Sequence, residues 1–363
     1  MNRGIKKIWR PLFLSTLFSF LTVSQAFAFT VISNAGKPAH WADTMHIGYH
    51  YYNVPSDFIP AMENSFQAWM AVSGVAIAFQ QESDTSSPSS SDGKNTLSWI
   101  ESKWTDLSFR PPSNALAVTL SSFDSSTGAI SDADIYFNAQ DFNWAIVESS
   151  QDSAFIDVQN IATHEIGHLI GLDHSSNDLF ETDPDLADAT MFYASGSGES
   201  SRREPHADDI KGIRALYPAE DPPAVKIDSV EETQVIGNIH LYSVKGENFS
   251  DETEFILTKG DNSIADAVSR YRTITSSTEA EVQLDLTGFP SGDVTFVAFN
   301  DPSHLSTYAL GGVVTANSDS SSSGGGSGGG CALQSPETSH GFAFILFFTF
   351  ILLLCLRRSK QKR

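Results

Sequence analysis

Eleven consecutive residues constrain this chain more than any others: His164-Glu165-Ile166-Gly167-His168-Leu169-Ile170-Gly171-Leu172-Asp173-His174. On a helix, His164 and His168 lie one turn apart on the same face, so both imidazoles can reach one metal ion. Gly171 can stop that helix and turn the backbone through a conformation that a Cβ would resist. The turn carries His174 back as a third nitrogen ligand. Three neutral ligands leave a tetrahedral zinc ion one open position, the arrangement of a catalytic rather than a structural site. Glu165 stands beside that position and can take a proton from water. A bare His-Glu-x-x-His arises by chance in many chains. Three His, a Glu and a Gly at fixed offsets do not, given ordinary glycine usage of roughly 7%. The competing reading, an exposed His-rich helix without metal, is set aside on that ground.

The 363 residues leave room for two modest domains and terminal address signals. The formal charge is −22, but both ends are basic. Four Lys/Arg lie in residues 1–28 and five in 357–363, with no acid in either stretch; removing those nine leaves 13 basic against 44 acidic residues in between. A body that acidic repels nucleic acid and anionic lipid, so neither is an expected partner. It suits an exported protein. The two cysteines, Cys331 and Cys355, lie outside every stretch that reads as globular. Thiolate metal ligands and a disulfide framework are therefore excluded from the folded body.

Residues 1–28 combine a basic start, an apolar run from Leu12 to Val23 and the small-residue site Ala26-Phe27-Ala28. They read as a secretory signal peptide that leaves Phe29 first in the mature chain. Residues 45–52 alternate as a strand. Ser56 or Asp57 is placed to cap a helix with Pro60 in its first turn and an apolar stripe through Ile59, Met62, Phe66, Trp69 and Met70. Further strands are expected at 75–79, 97–100, 115–120 and 128–138. The last carries Asp134, Ile135, Tyr136 and Phe137 and is expected at the sheet edge, where an extended substrate adds by backbone hydrogen bonds. Asp132 and Asp134 are candidate calcium ligands, against the plainer reading of solvated acids. The metal-binding helix should run from Asp157 to Ile170, and 206–217 should form an amphipathic helix closed by Pro218. Asp221-Pro222-Pro223 closes this first domain.

Residues 225–315 read as short alternating strands, a β-sandwich of immunoglobulin-like size. Residues 316–331 are mostly Ser and Gly, a tether. The apolar run 342–356 is shorter than the roughly 20 residues usually needed to span a bilayer, and the basic tail 357–363 would stay cytoplasmic.

These residues resemble the metzincin metalloproteases, and within them the matrixin branch, over Trp41 to Pro218. The resemblance implies an α+β fold: a twisted mixed sheet with three helices, followed here by the all-β sandwich. It makes His164, His168 and His174 the zinc ligands and Glu165 the general base. Met191 matches the methionine of the Met-turn, which lies under the metal without ligating it. Ser175 follows the third His as in matrixins. Met191-Phe192-Tyr193 departs from the branch by carrying Tyr, which in astacins and serralysins can approach the metal and help the oxyanion. No Cys precedes the catalytic region, so latency through a cysteine switch is not expected. His40, His46 and His50 are the only histidines before the active-site helix, and none sits in the loop that holds a structural zinc in animal matrixins, so a second zinc is not expected either. The sandwich is similar to IPT/TIG modules through Gly246-Glu247-Asn248-Phe249. The tail resembles C-terminal sorting signals of Gram-negative bacteria, with a processing protease acting near Cys331; a plain one-helix anchor is the alternative. The function implied is zinc-dependent hydrolysis of extracellular polypeptides. The rival is a surface adhesin in which the sandwich binds and the first domain is non-catalytic.

Overall fold

The computed structural model describes residues 29–85, 87, 92–148, 153–260, 264–269, 271–313 and 330–334. The expected signal peptide, the apolar run 342–356 and the basic tail lie outside them. Among the described residues no helix is long and apolar enough to cross a membrane.

The first unit contains β1 (Ile47–Tyr52), α1 (Ile59–Met70), β2 (Phe79–Gln81), β3 (Asn95–Ile100), β4 (Ala115–Phe123), β5 (Ile130–Asn138), α2 (Val158–Leu169) and α3 (Ala207–Leu216). The strands lie in the order β4-β5-β3-β1-β2, with β4 antiparallel to β5 and the other pairings parallel. Parallel strands covered on both faces read as near-continuous apolar runs, and β3 is buried at every position. α1 and α2 pack together. The Trp69 indole donates to the Thr163 carbonyl (2.8 Å) and the Ser65 hydroxyl to that of Gln159 (3.1 Å). The stripe foreseen on α1 is core: Phe66 stacks on Tyr49 with ring centroids 3.9 Å apart. The capping candidates Ser56 and Asp57 are not used; Phe58 holds the N-cap position without a side-chain bond.

Asp134, Ile135, Tyr136 and Phe137 do not form a sheet edge. β5 is flanked by β3 on one side and β4 on the other, with Ile135 opposite both Leu97 and Thr119. Its acids are not solvated either: Asp132 and Asp134 are 3% and 1% exposed. Asp132 accepts the Gly93 N–H (2.7 Å) and Asp134 that of Thr96 (2.9 Å), which holds the preceding loop and strand against β5. The five strands end at β4 on one side and at β2 on the other.

Burial, with the Asp132 charge beside it, pushes the Asp134 carboxyl up to about 8. In the unfolded chain the group ionises at about 4. Between those values the folded state holds the extra proton, so stability falls as pH rises across that window. Asp134→Asn removes the proton from the balance. Urea midpoints measured between pH 5 and pH 8 should decline less steeply in the variant than in the wild type; parallel slopes would place the titration elsewhere.

The second unit contains β6 (Lys226–Ile236), β7 (Ile239–Glu247), β8 (Glu254–Thr258), β9 (Ala267–Val268), β10 (Tyr271–Ser276), β11 (Glu279–Asp285), β12 (Gly292–Phe299) and β13 (Ser306–Val313). Two antiparallel sheets, β6-β7-β11-β10 and β9-β8-β12-β13, enclose Tyr242, Val244, Phe255, Leu284 and Phe296. β11 shows the period-2 rule plainly: Ala280, Val282 and Leu284 are buried while Glu279, Glu281 and Asp285 face water.

The two units share a core. Ile256, Val297 and Phe299 of the sandwich pack into the apolar cluster of the first unit. Ser33 and the Gly36 N–H both donate to Asp266 (2.9 and 2.8 Å). The Arg272 guanidinium donates to the Phe29 carbonyl (3.1 Å) and lies 4.0 Å above the Phe29 ring. One more strand follows the Ser/Gly-rich stretch. β14 (Gly330–Gln334) pairs antiparallel with the outer side of β4, so the full order is β14-β4-β5-β3-β1-β2. The segment read as the end of a tether is thus part of the first unit's sheet.

Candidate active site

The site is assembled on α2. Asp157 caps the helix by accepting the Asn160 N–H (2.8 Å), and its buried carboxylate also takes the Val147 N–H (2.8 Å) and the Arg203 guanidinium. From this fixed start the helix places His164 and His168 on one face. The far end is fixed too. Three successive carbonyls that a helix end leaves without partners are taken by other elements. Leu169 accepts from the Trp41 indole (2.9 Å), Ile170 from the Tyr217 hydroxyl (2.7 Å) and Gly171 from the Ile32 N–H (2.8 Å). Gly171 adopts φ +96°, and a Cβ there would lie 2.1 Å from the Ala39 carbonyl oxygen. The glycine is required by conformation and by space at once. Beyond it, Leu172–Asp173 pair with Thr30–Val31 and lead directly into His174.

His164, His168 and His174 come together with one ligand atom each, all within 4.8 Å of one another, and all three residues are buried. Among the described residues this is the one cluster of three or more such donors. The Nδ1 atoms point outward: His164 to the Thr190 carbonyl (2.7 Å), His168 to the Leu172 carbonyl (2.8 Å) and His174 to the Asn177 side-chain oxygen (2.8 Å). An oxygen of that kind only accepts, so each Nδ1 carries the proton and each Nε2 presents a lone pair. The Nε2 atoms of His164 and His168 are 3.0 Å apart. Two lone pairs at that separation repel unless a cation lies between them. Burial foremost, then the charge of the neighbouring imidazoles, holds His164 far below the usual range; burial and His174 bring His168 to about 3. Protonation is therefore no remedy for that repulsion, and neutral nitrogen donors with fixed tautomers fit a zinc ion.

Glu165 occupies the next position on α2, and its carboxylate accepts the Thr119 hydroxyl of β4 at 2.6 Å. The same hydroxyl lies 3.2 Å from the Glu165 carbonyl. Met191 is 2% exposed and lies beneath α2; a Cβ on Gly167 would fall 2.2 Å from its sulfur. The Met191 segment is held from α3, where the Asp209 carboxylate accepts the N–H groups of Thr190 (2.8 Å), Met191 (3.0 Å) and His206 (2.8 Å). Tyr193 lies farther out, half-buried, its ring centroid 6.3 Å from that of His174. Burial and the Asp178 charge raise its hydroxyl pKa. Asp134, Ile135, Tyr136 and Phe137 lie one strand inward of β4, whose outer side is covered by β14.

Sequence reasoning did not single out Thr119, Asn177 or Asp209 for this site. Asn177, three residues past the third His, carried a local signal. Thr119 carried none, since the pairing of β4 with the centre of the molecule depends on strand order.

Residues 40–218 match the family model described as Matrixin. Three curated relatives are similar over shorter segments. Metalloendoproteinase 5-MMP of Arabidopsis thaliana is 44% identical over 62 residues, 17% of this chain and 14% of the relative. Macrophage metalloelastase of Oryctolagus cuniculus is 37% identical over 86 residues, 23% of this chain and 17% of the relative. Matrilysin of Homo sapiens is 36% identical over 109 residues, 30% of this chain and 34% of the relative. The matched segments thus span about a third or less of these relatives. The first unit is a matrixin-like domain.

Proposed function

We propose that this chain is an exported zinc-dependent endopeptidase that hydrolyses extended polypeptides, with Glu165 as general base. The observation that carries the reading is the convergence of three Nε2 lone pairs, each fixed by an Nδ1–H donated outward, one residue from a carboxylate held by Thr119. Zinc held there supplies Lewis acidity towards a peptide carbonyl and lowers the pKa of water from 15.7 towards about 7. Glu165 takes the proton released by the attacking water and delivers it to the leaving amine. Tyr193 is placed in the same proposal as a donor to the developing oxyanion. The extended substrate pairs with the outer side of β4, where β14 lies in this structure, in place of the Asp134–Phe137 strand.

Export through residues 1–28, a kinship of the sandwich with IPT/TIG modules, and anchoring or sorting through the tail near Cys331 belong to this proposal and rest on the sequence. So does calcium at Asp132 and Asp134, where a cation would take the place of the proton that Asp134 holds. The adhesin reading gives no reason for a buried carboxylate beside a converging imidazole triad.

The test is cleavage of an unfolded protein by the purified chain, before and after chelation. Cleavage should vanish with the metal and return with zinc, and intact mass spectrometry should find internal cuts in the substrate. A folded chain that retains no zinc would overturn the proposal.

A further inference from the structure

β14 is seated where the proposed substrate would lie. Its five residues run antiparallel to β4, with Gly330 opposite Leu120, Cys331 opposite Thr119, Ala332 opposite Val118, Leu333 opposite Ala117 and Gln334 opposite Ala115. A single outer side of a strand has one row of backbone donors and acceptors and can pair with one partner only. The register is specific. Cys331 is opposite Thr119, the residue whose hydroxyl holds Glu165. α2, which carries the triad, approaches both β4 and β14. The tail strand therefore lies across the centre of the site rather than at its margin.

We infer that Gly330–Gln334 is an intramolecular occupant of the peptide-binding side of β4, a built-in competitor that an incoming polypeptide must displace. The inference rests on the proteolytic reading for its consequence, though not for the docking itself. Sixteen residues, 314 to 329, connect β13 to β14, and they are rich in Ser and Gly. A connection of that kind presents the segment at an effective concentration on the order of millimolar. A five-residue strand has modest intrinsic affinity. At such a concentration it still competes with dilute substrate, and a tight-binding substrate or a partner that captures the tail displaces it. Seven residues, 335 to 341, separate the segment from the apolar run 342–356, so engagement of that run elsewhere would relieve the competition.

The test uses the full zinc-loaded chain and the double substitution Ala332→Pro with Leu333→Pro. Adjacent residues of a strand direct their N–H groups to opposite sides, so this variant loses one ladder donor whichever face meets β4. Hydrogen exchange read by mass spectrometry reports docking without reference to activity. Amides of 330–334, and those of 115–120 directed away from β5, should be protected in the wild type and exchange faster in the variant. With a short peptide substrate, KM should fall about two- to tenfold in the variant while kcat stays unchanged, and the wild-type KM should not depend on protein concentration. Unprotected amides in the wild type, or an unchanged KM, would overturn the inference. So would a KM that rises with protein concentration, which assigns the strand to a second copy, or a cut within 330–334, which makes the segment a substrate. Protected amides in a chain with no proteolytic activity would leave the docking standing and remove the proteolytic reading instead.

Discussion

Glu165→Gln should lower kcat/KM by about 10²–10⁴-fold, the contribution of a positioned general base, while leaving bound zinc at the wild-type level. The substitution preserves shape and hydrogen bonding: the amide oxygen of Gln can still accept the Thr119 hydroxyl that now lies 2.6 Å from the carboxylate. It removes only basicity. The three imidazoles keep their outward bonds to Thr190, Leu172 and Asn177, none of which involves residue 165. Metal analysis and peptide hydrolysis on the same preparation separate the roles. Zinc lost in proportion to activity would make Glu165 a structural support of the triad rather than its base.

The second large effect is expected at Gly171→Ala. The backbone there is at φ +96°, which costs a residue with a Cβ about 1–2 kcal/mol. The added carbon would also meet the Ala39 carbonyl oxygen at 2.1 Å, and that oxygen belongs to backbone that cannot rotate away. Overpacking of that kind adds about 1–3 kcal/mol. The sum, about 2–5 kcal/mol, should appear in denaturant unfolding. Zinc affinity should fall with it, because the displaced turn carries His174. Gly237→Ala is the control, with φ +64° and nothing within 4 Å of the added carbon. Equal losses at the two glycines would show that steric contact with Ala39 contributes nothing.

The triad was legible because its geometry is local. Two His at helical spacing, a glycine that must turn and a third His three residues on are short-range facts, and α2 ends at Leu169 as the pattern requires. The identity of the outer strand was not legible. Asp132 and Asp134 suggested water at the start of β5, whereas both are buried and accept backbone N–H groups from Gly93 and Thr96. The compensating signal was the unbroken run Ile135-Tyr136-Phe137, which suits a strand covered on both faces better than an edge. Strand order is decided by contacts distant in sequence, and the same holds for Thr119, 46 residues from the carboxylate it supports. The tether reading of 316–331 failed at its end for a related reason. Gly330 and Cys331 have no strand pattern of their own, and the partner strand supplies the order.

The contacts around Phe29 bear on the sequence of events by which the site comes into being. Thr30–Val31 pair with Leu172–Asp173, immediately before His174, and the Phe29 carbonyl is held by Arg272, 243 residues away in the chain. Ile256, Val297 and Phe299 complete the apolar cluster on which that arrangement rests. A ribosome or an export channel delivers the chain from its N-terminus, so the surroundings of the third imidazole stay incomplete until residues near 299 have emerged. Loop closure over such separations is slow. Completion of the site is thereby deferred until the sandwich has been delivered, and a nascent fragment ending before it would hold the metal-binding turn through Trp41, Tyr217 and Ile32 but without the packing of Ile256, Val297 and Phe299.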